Sequence, residues 1–490
     1  MRKTGWMASC LLLLAAGVAV AAGVRTKPAA KPATAPRVAA AAQAAAAPKI
    51  DWAQVDRDAI DKFTAYLRVN TSDPPGNEVR AVAFFKKIFD AEGIPYQTGE
   101  SAPGRGNIVA RLKGTGHEPA LILLNHMDVV PVDQRFWTVP GFAGLIKNGY
   151  IWGRGSEDMK DTGMAELMAF LLLHRNHVPL KRDVIFLGTA DEEAGGNFGA
   201  GWVAKQRPAW YRGAGYLLTE GATSRSDAAG KPIFYGVGTI EKTPAWLKLT
   251  ATGRSGHGSI PIPDSATNRL VTALVKLEHY QPPLELTPQM QRALASVAPY
   301  QPEPWRSRLA HLDQFIHQPN ARQELAQKPE WLALLTNTIS ITQLSGSKKI
   351  NIIGPEATAT LDCRILPEMT IERWVKQIRD IIQDPSIKID VVLNFPSTNS
   401  KVNTPLYQSI ERAVHQMHPG AGVTLSTLTG FTDSHFYRER GITSYGFEPF
   451  AVTEDDERRV HGNDERIPVK TFTDGVRLMY QVVYDFSRAQ

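Results

Sequence analysis

The chain of 490 residues is 43% hydrophobic and 21% charged, the proportions of a soluble globular protein with room for two or three domains. Its net charge of +6 comes from residues 1–49, which hold seven Lys or Arg and no Asp or Glu, so the body from Ile50 onward stands near −1. No basic face remains to hold a phosphate backbone, and a nucleic-acid partner is not expected.

Arg2 and Lys3 precede an apolar run from Leu11 to about Ala22, and Ala19-Val20-Ala21 has the small-residue pattern of a signal-peptidase site. The run is too short to span a bilayer, so no stable membrane span is expected after cleavage. Cys10 lacks a leucine three residues upstream and does not read as a lipid-attachment cysteine. Residues 1–22 are thus expected to be a signal peptide and 23–49, rich in Ala and Pro, a linker that cannot bury a core. The reading is of an exported bacterial protein, periplasmic or secreted. Loss of Cys10 would leave Cys363 alone, which excludes an internal disulfide.

From Asp56 to Val69 the residues Ile60, Phe63 and Leu67 recur at helical spacing, and Thr71-Ser72-Asp73-Pro74-Pro75-Gly76 breaks the helix. A second helix is predicted at about Glu78–Ala91 and a strand at Asn107–Leu112. The run Ala120–Leu124 does not alternate, as suits a strand buried on both faces of a parallel sheet, and its strand is predicted to continue through His126 to Asp128. Residues 141–153 read as a hairpin around Lys147-Asn148-Gly149. Lys160–His174 places Met164, Leu167, Met168, Leu171 and Leu172 on one helical face. A buried strand at Asp183–Thr189 runs into Asp191-Glu192-Glu193, and another at Gly215–Thr219 ends at Glu220. Strands alternating with helices, with acids at strand ends, predict an α/β fold with a mostly parallel sheet flanked by helices.

At about Gly238 the texture changes. Ala245–Ala251 alternates like a half-exposed strand, and a helix at Asp264–Tyr280, strands at 338–343, 356–364 and 387–394, and a helix at 370–383 suggest an inserted smaller α+β domain over 238–396. Residues 283–336, rich in Pro, Gln and Trp, look like a helical insertion into it. Helices at 405–417 and 470–487 return the chain to the first domain, which then comprises 50–237 and 397–490.

Five groups stand at predicted strand ends or tight turns: His126, Asp158, Glu193, Glu220 and His461. Nitrogen and oxygen donors of this mixture suit zinc, with cobalt or manganese as substitutes. Three carboxylates cannot share a site without counter-charge, which two divalent cations supply together with a water activated near neutral pH. On an extended backbone Asp128 projects to the same side as His126, so its carboxylate can hold one ring nitrogen while the other faces a metal. Glu192 and Glu193 leave the backbone in different directions, so one can bind metal and the other act as a base.

Nine pieces in order carry a resemblance: TSDPPGNE at 71–78, HMDVVP at 126–131, GRGSEDMKD at 153–161, DEEAGG at 191–196, TEGA at 219–222, SGHGSIP at 255–261, DCRILP at 362–367, GFTDSHF at 430–436 and VHGNDE at 460–465. The sequence resembles the di-zinc metallohydrolases of peptidase family M20, which include carboxypeptidase G2, aminoacylases and the carboxypeptidase S group. The resemblance implies a catalytic domain and a smaller lid or dimerisation domain, the latter a route to a homodimer. It implies one zinc on His126, Asp158 and Glu220 and a second on Asp158, Glu193 and His461. Asp128 would orient His126, and Glu192 would move the proton from water to the leaving amine. From the lid, His257 would stabilise the oxyanion, often reaching across from a partner subunit. Arg364 would pair with the substrate's terminal carboxylate, with Asn351 and the backbone at Gly430 to Ser434, Thr432 included, as further contacts.

Two departures bear on that pocket: Phe431 stands in Gly430-Phe431-Thr432 where a second small residue is usual, and Gly354-Pro355 places proline one position late. The insertion at 283–336 looks most like the carboxypeptidase S and N-acyl-amino-acid hydrolase branch. The expected activity is cleavage of the amide beside a C-terminal amino acid in short peptides or N-acyl amino acids. A di- or tripeptide aminopeptidase on the same scaffold and a non-catalytic periplasmic binding protein are the alternatives.

Overall fold

The computed structural model describes residues 48–489; the expected signal peptide, Cys10 and the expected linker up to residue 47 lie outside the described residues. After α1 (Trp52–Leu67) and α2 (Val79–Glu92) the chain enters a large sheet through β1 (Tyr96–Glu100), β2 (Gly106–Leu112) and β3 (Glu118–His126). The hairpin β4 (Leu145–Lys147) and β5 (Tyr150–Trp152) turns at Asn148 and Gly149, both left-handed (φ 53° and 79°), as a two-residue type I′ turn requires. Next come α3 (Lys160–Arg175), β6 (Arg182–Thr189), α4 (Ala200–Gln206), β7 (Ala214–Thr219), β8 (Arg225–Ser226) and β9 (Pro232–Glu241).

A four-stranded sheet starts with β10 (Thr243–Thr252), followed by β11 (Gly256–His257) and α5 (Ala266–His279). Five short helices come next: α6 (Pro288–Val297), α7 (Trp305–Ala310), α8 (Leu312–Phe315), α9 (Ala321–Leu325) and α10 (Pro329–Leu334). The small sheet then resumes with β12 (Thr338–Ser345), β13 (Ile352–Ile353), β14 (Glu356–Ile365), α11 (Ile371–Ile382) and β15 (Lys388–Asn394). The chain returns through α12 (Pro405–Met417), β16 (Gly422–Leu428), α13 (Ser434–Arg438), β17 (Thr443–Gly446), α14 (Glu454–Glu457), β18 (Arg466–Pro468) and α15 (Val469–Ser487).

The large sheet has the order β1-β2-β6-β3-β7-β17-β9-β16, with β8 beside β9. Its centre, β6-β3-β7-β17, is parallel, whereas β2 runs against β6 and β9 against β17. Leu121, Ile122, Leu123 and Leu124 are all fully buried, which is why β3 does not alternate. The amphipathic pattern expected of Lys160–His174 proves too narrow: α3 is buried on every side from Lys160 to Leu173, because it packs on the sheet and is covered by α1 and α15.

The small sheet has the order β12-β14-β10-β15 and is antiparallel throughout. β14 alternates buried and part-exposed residues, and α5 and α11 cover one face through Leu247, Leu249, Leu361 and Trp374. The change of texture expected at Gly238 falls inside β9; the chain changes sheets at Lys242, where both strands are buried and no pattern marks the switch. The helical insertion also packs differently from expectation. α6 lies on β16 at the edge of the large sheet, with Ser296 Oγ accepting the Leu425 N–H at 2.9 Å. Met290, Leu294, Leu309, Phe315 and Leu325 give the insertion a core of its own.

Candidate metal centre and active site

The parallel strands β3, β6 and β7 end side by side, and acids or imidazoles follow each end. His126 closes β3 and is 2% exposed. Its Nε2 lies 3.1 Å from Asp158 Oδ1 and 3.3 Å from Glu220 Oε1. The other oxygen of Asp158, Oδ2, lies 2.9 Å from His461 Nε2, which is itself 3.2 Å from Glu193 Oε2. One carboxylate therefore faces two clusters, His126–Asp158–Glu220 and Asp158–Glu193–His461, each with its ligand atoms mutually within 4.8 Å.

The donor set fits metal. His126 Nδ1 is 3.0 Å from the Asp128 carbonyl oxygen, which only accepts, so in a neutral ring Nδ1 carries the proton and the Nε2 lone pair points at two carboxylates. That arrangement is repulsive unless a cation or a proton stands between them. Glu193 Oε1 is also buried without a hydrogen-bond partner. Without a cation the cluster holds protons: burial, with Asp158 adding to it, pushes Glu220 up to about 8, and hydrogen bonds to Asp158 and Glu193 hold His461 up at about 11.

The structure corrects one detail of the expected support. β3 stops at His126 and the backbone turns, so the close partner of Nδ1 is the Asp128 main chain; the nearest carboxylate oxygen is 3.6 Å away. The Asp128 carboxylate instead accepts the N–H groups of Glu192 and Glu193, at 3.2 and 3.0 Å, and so fixes the turn that carries both glutamates. Glu192 is anchored by its backbone, and its carboxyl is driven well above the ordinary range by burial and by the neighbouring Glu220 carboxylate. Asp73, Glu78 and Asp128 form a third acidic cluster; Arg105 crosses it, with contacts of 2.9 and 2.8 Å to Asp73 and Glu78.

The remaining expected residues are outside the two ligand clusters, although Thr432 packs against Gly221, the residue after Glu220. His257 is exposed on the ribbon β11–β13, with Nδ1 2.7 Å from Ser259 Oγ, and Asn351 lies beside it, its carbonyl accepting the Gly258 N–H. Arg364 on β14 is clasped by Asp362. Thr432 is buried and donates to Glu241 at 2.7 Å, and Gly430 lies two residues beyond the end of β16.

Residues 122–485 match the family described as Peptidase family M20/M25/M40. The chain belongs to that family. It is accordingly a hydrolase of the peptidase and amidohydrolase type. Its relatives include the human N-fatty-acyl-amino acid synthase/hydrolase PM20D1, 29% identical over 75% of this chain and 75% of that protein. Aminoacylase-1 from Sus scrofa is 27% identical over 87% of this chain and 94% of its own. Among solved structures, human carnosine dipeptidase 1 shares the fold with a TM-score of 0.68 at 14% identity, over 90% of this chain and 99% of that one.

Several residues that support this M20 site were not singled out from the sequence. Arg154 is paired with Glu465 and donates to the carbonyls of Gly462 (2.8 Å) and His461 (3.3 Å), while Glu465 accepts the N–H groups of Gly155 and Glu157 at 3.0 and 2.9 Å. The loop bearing Asp158 is thereby locked to the loop bearing His461. Glu448 accepts the N–H groups of Gly221 and Ala222 just after Glu220, and Asp433 accepts from Thr189 Oγ1 at 2.8 Å. Arg154, Glu465 and Asp433 are buried and Glu448 is half-buried; their sequence signal was a charged residue inside or beside a glycine-rich motif, where a solvated turn reads the same way.

Proposed function

We propose that the protein is an exported, zinc-dependent amidohydrolase that cleaves the amide beside a C-terminal amino acid in short peptides or N-acyl amino acids. The observation that carries this reading is Asp158, whose two carboxylate oxygens face two separate His-and-Glu pairs. His126, Asp158 and Glu220 would hold one zinc, and Asp158, Glu193 and His461 the other. Bound there, the metals would polarise a carbonyl and bring the pKa of a water near neutrality. Glu192, buried and kept protonatable by its acidic neighbours, takes a proton from the attacking water and gives it to the departing amine. His257, free of metal contacts on its exposed ribbon, donates to the oxyanion when the lid closes on substrate. Arg364 holds the terminal carboxylate.

Substrates named for the relatives, N-fatty-acyl amino acids among them, support the amide class. Pairing of two chains through the lid is part of the reading: β12 is an edge strand with Ile341 and Leu344 exposed, and α5 exposes Val271 and Val275. Export rests on the leader alone.

The test joins elemental analysis of the mature protein to hydrolysis of N-acyl amino acids and free-amine dipeptides, for wild type and Glu192→Ala. The expected result is near two zinc per chain and a loss of about 10²–10⁴-fold in kcat for the variant with metal retained. A zinc-free protein after reconstitution, or full activity in the variant, overturns the reading.

A further inference from the structure

Among the described residues several buried N–H groups lack an acceptor, Trp137 Nε1 and Trp374 Nε1 included, and two others lie together on the small sheet. Arg364 spends Nε and Nη2 on the carboxylate of Asp362, at 2.6 and 3.0 Å, and its Nη1 is buried without a partner. The indole Nε1 of Trp246 is buried and unpartnered as well. Trp246 stands opposite Asp362 in the β10–β14 register, so Trp246, Asp362 and Arg364 share the face of the small sheet turned away from Leu247 and Leu361 in its core. The Arg364 guanidinium carbon lies 5.8 Å from the Trp246 ring centre and 5.2 Å from that of Phe431. Buried donors are nearly always paired, so two orphans side by side mark a place for an acceptor that the chain does not supply.

The surroundings are aromatic. Phe431 lies edge-on to Trp246 at 6.0 Å and to Phe395 at 5.4 Å, and all three rings are partly exposed. Leu393, opposite Trp246 in the sheet, packs toward Gly195 in the turn that carries Glu192 and Glu193. Lys242 Nζ donates to the carbonyls of Ala333 and Thr336, both at 2.7 Å, and Glu241 is held by Thr432, Ser434 and Arg438. His435, stacked on Phe395 with its Nε2 unpartnered, is pushed down to about 4 by burial and is a neutral ring.

We propose that this aromatic cleft receives the C-terminal residue of the substrate, with Trp246 Nε1 and Arg364 Nη1 both donating to its carboxylate and Phe431 and Phe395 selecting a large apolar, above all aromatic, side chain. The inference rests on the reading that the substrate ends in a free carboxylate, and it assigns the Phe431 departure a role. An acidic side chain finds no uncommitted cation among these residues, and a basic one meets Arg364.

The experiment compares kcat/KM of the zinc-loaded protein for the N-acetyl derivatives of Phe, Leu, Ala, Asp and Lys, in wild type, Phe431→Leu, Phe431→Ala and Trp246→Phe, each checked for folding by thermal melting. Wild type is expected to favour Phe over Ala by about tenfold or more, a ratio that shrinks in Phe431→Leu and falls below about threefold in Phe431→Ala. Trp246→Phe keeps the ring and removes the N–H, and is expected to raise KM about tenfold, with more of the loss in KM than in kcat. Calorimetric binding to Glu192→Gln adds a readout without turnover: N-acetylphenylalanine should bind more tightly than its C-terminal amide, and adding Trp246→Phe should narrow that gap. Hydrolysis that favours Ala, Asp or Lys, or a Phe-to-Ala ratio unmoved in folded Phe431→Ala, overturns the cleft while the amidohydrolase reading stands. No hydrolysis of any N-acyl amino acid by the two-zinc protein overturns both.

Discussion

In the large sheet β3 and β6 are covered on both faces, and the helix over them is buried all round; in the small sheet β14 alternates and β12 is exposed from Ser340 to Ser345. The five expected metal ligands follow the first sheet or its adjoining loops, while His257 and Asn351 sit on a two-stranded ribbon beside the second. His126, Asp158, Glu193 and Glu220 are buried or half-buried on dense packing and His461 is exposed on its loop, while on the proposed reading His257 travels to substrate from a ribbon where little packing resists movement.

The sharpest way to break this comparison is Asp158→Ala. Because one carboxylate faces both clusters, the variant should lose both metals and about 10⁴-fold or more in activity, whereas His461→Ala should retain about one metal per chain. Two metals in Asp158→Ala would refute the shared-ligand geometry. His257→Ala tests the mobile side: kcat should fall about 10²–10³-fold while metal content and melting temperature stay at wild-type values. A loss of metal would place His257 in the rigid centre.

Leu123→Ala and Leu249→Ala remove matched, fully buried side chains from the two cores, and each should cost about 2–5 kcal/mol. Only the first should also weaken zinc retention in a chelator titration; equal weakening would mean that the two regions are mechanically one. The smallest expected effect is the pH response of the chelated protein. Glu220 at about 8 and His461 at about 11 both lie above their unfolded values, so the folded state binds more protons than the unfolded one between about pH 5 and 9. Stability should therefore fall as pH rises through that window, by roughly 2 °C or more in melting temperature, and zinc should abolish the trend. Asp158 is shifted below its ordinary value, so its contribution is lost only in more acid solution and does not alter the sign.

Much of this was legible in the sequence because the relevant signals are local. An unalternating apolar run that stops at His126, acids starting two residues after Thr189 and an acid directly after Thr219 announce strand ends at a parallel sheet's carboxyl edge. What stayed hidden depends on where the backbone turns. Extended geometry paired the Asp128 carboxylate with His126, but the strand ends at His126, two residues short of Asp128, and the carboxylate serves the Glu192–Glu193 turn instead. The insertion's seat on β16 and the meeting of Trp246, Arg364 and Phe431 are contacts between distant segments, which no periodicity encodes. The surround of α3 was hidden for a related reason: one apolar face was read from Met164 to Leu172, yet the helix is buried all round and even Lys160 Nζ donates to the Val69 carbonyl at 2.7 Å from a fully buried position.

Arg154 and the His461 carbonyl it holds are 307 residues apart in the chain. As the chain emerges from the ribosome, His126, Asp158, Glu193 and Glu220 all appear long before the loop that completes the second cluster. A nascent chain at that stage owns one triad and an acid pair without its imidazole, and Glu465 is not yet present to clasp Arg154. The hydrolase therefore stays unarmed for most of its synthesis, with the ion pair that locks the two loops acting as the final latch.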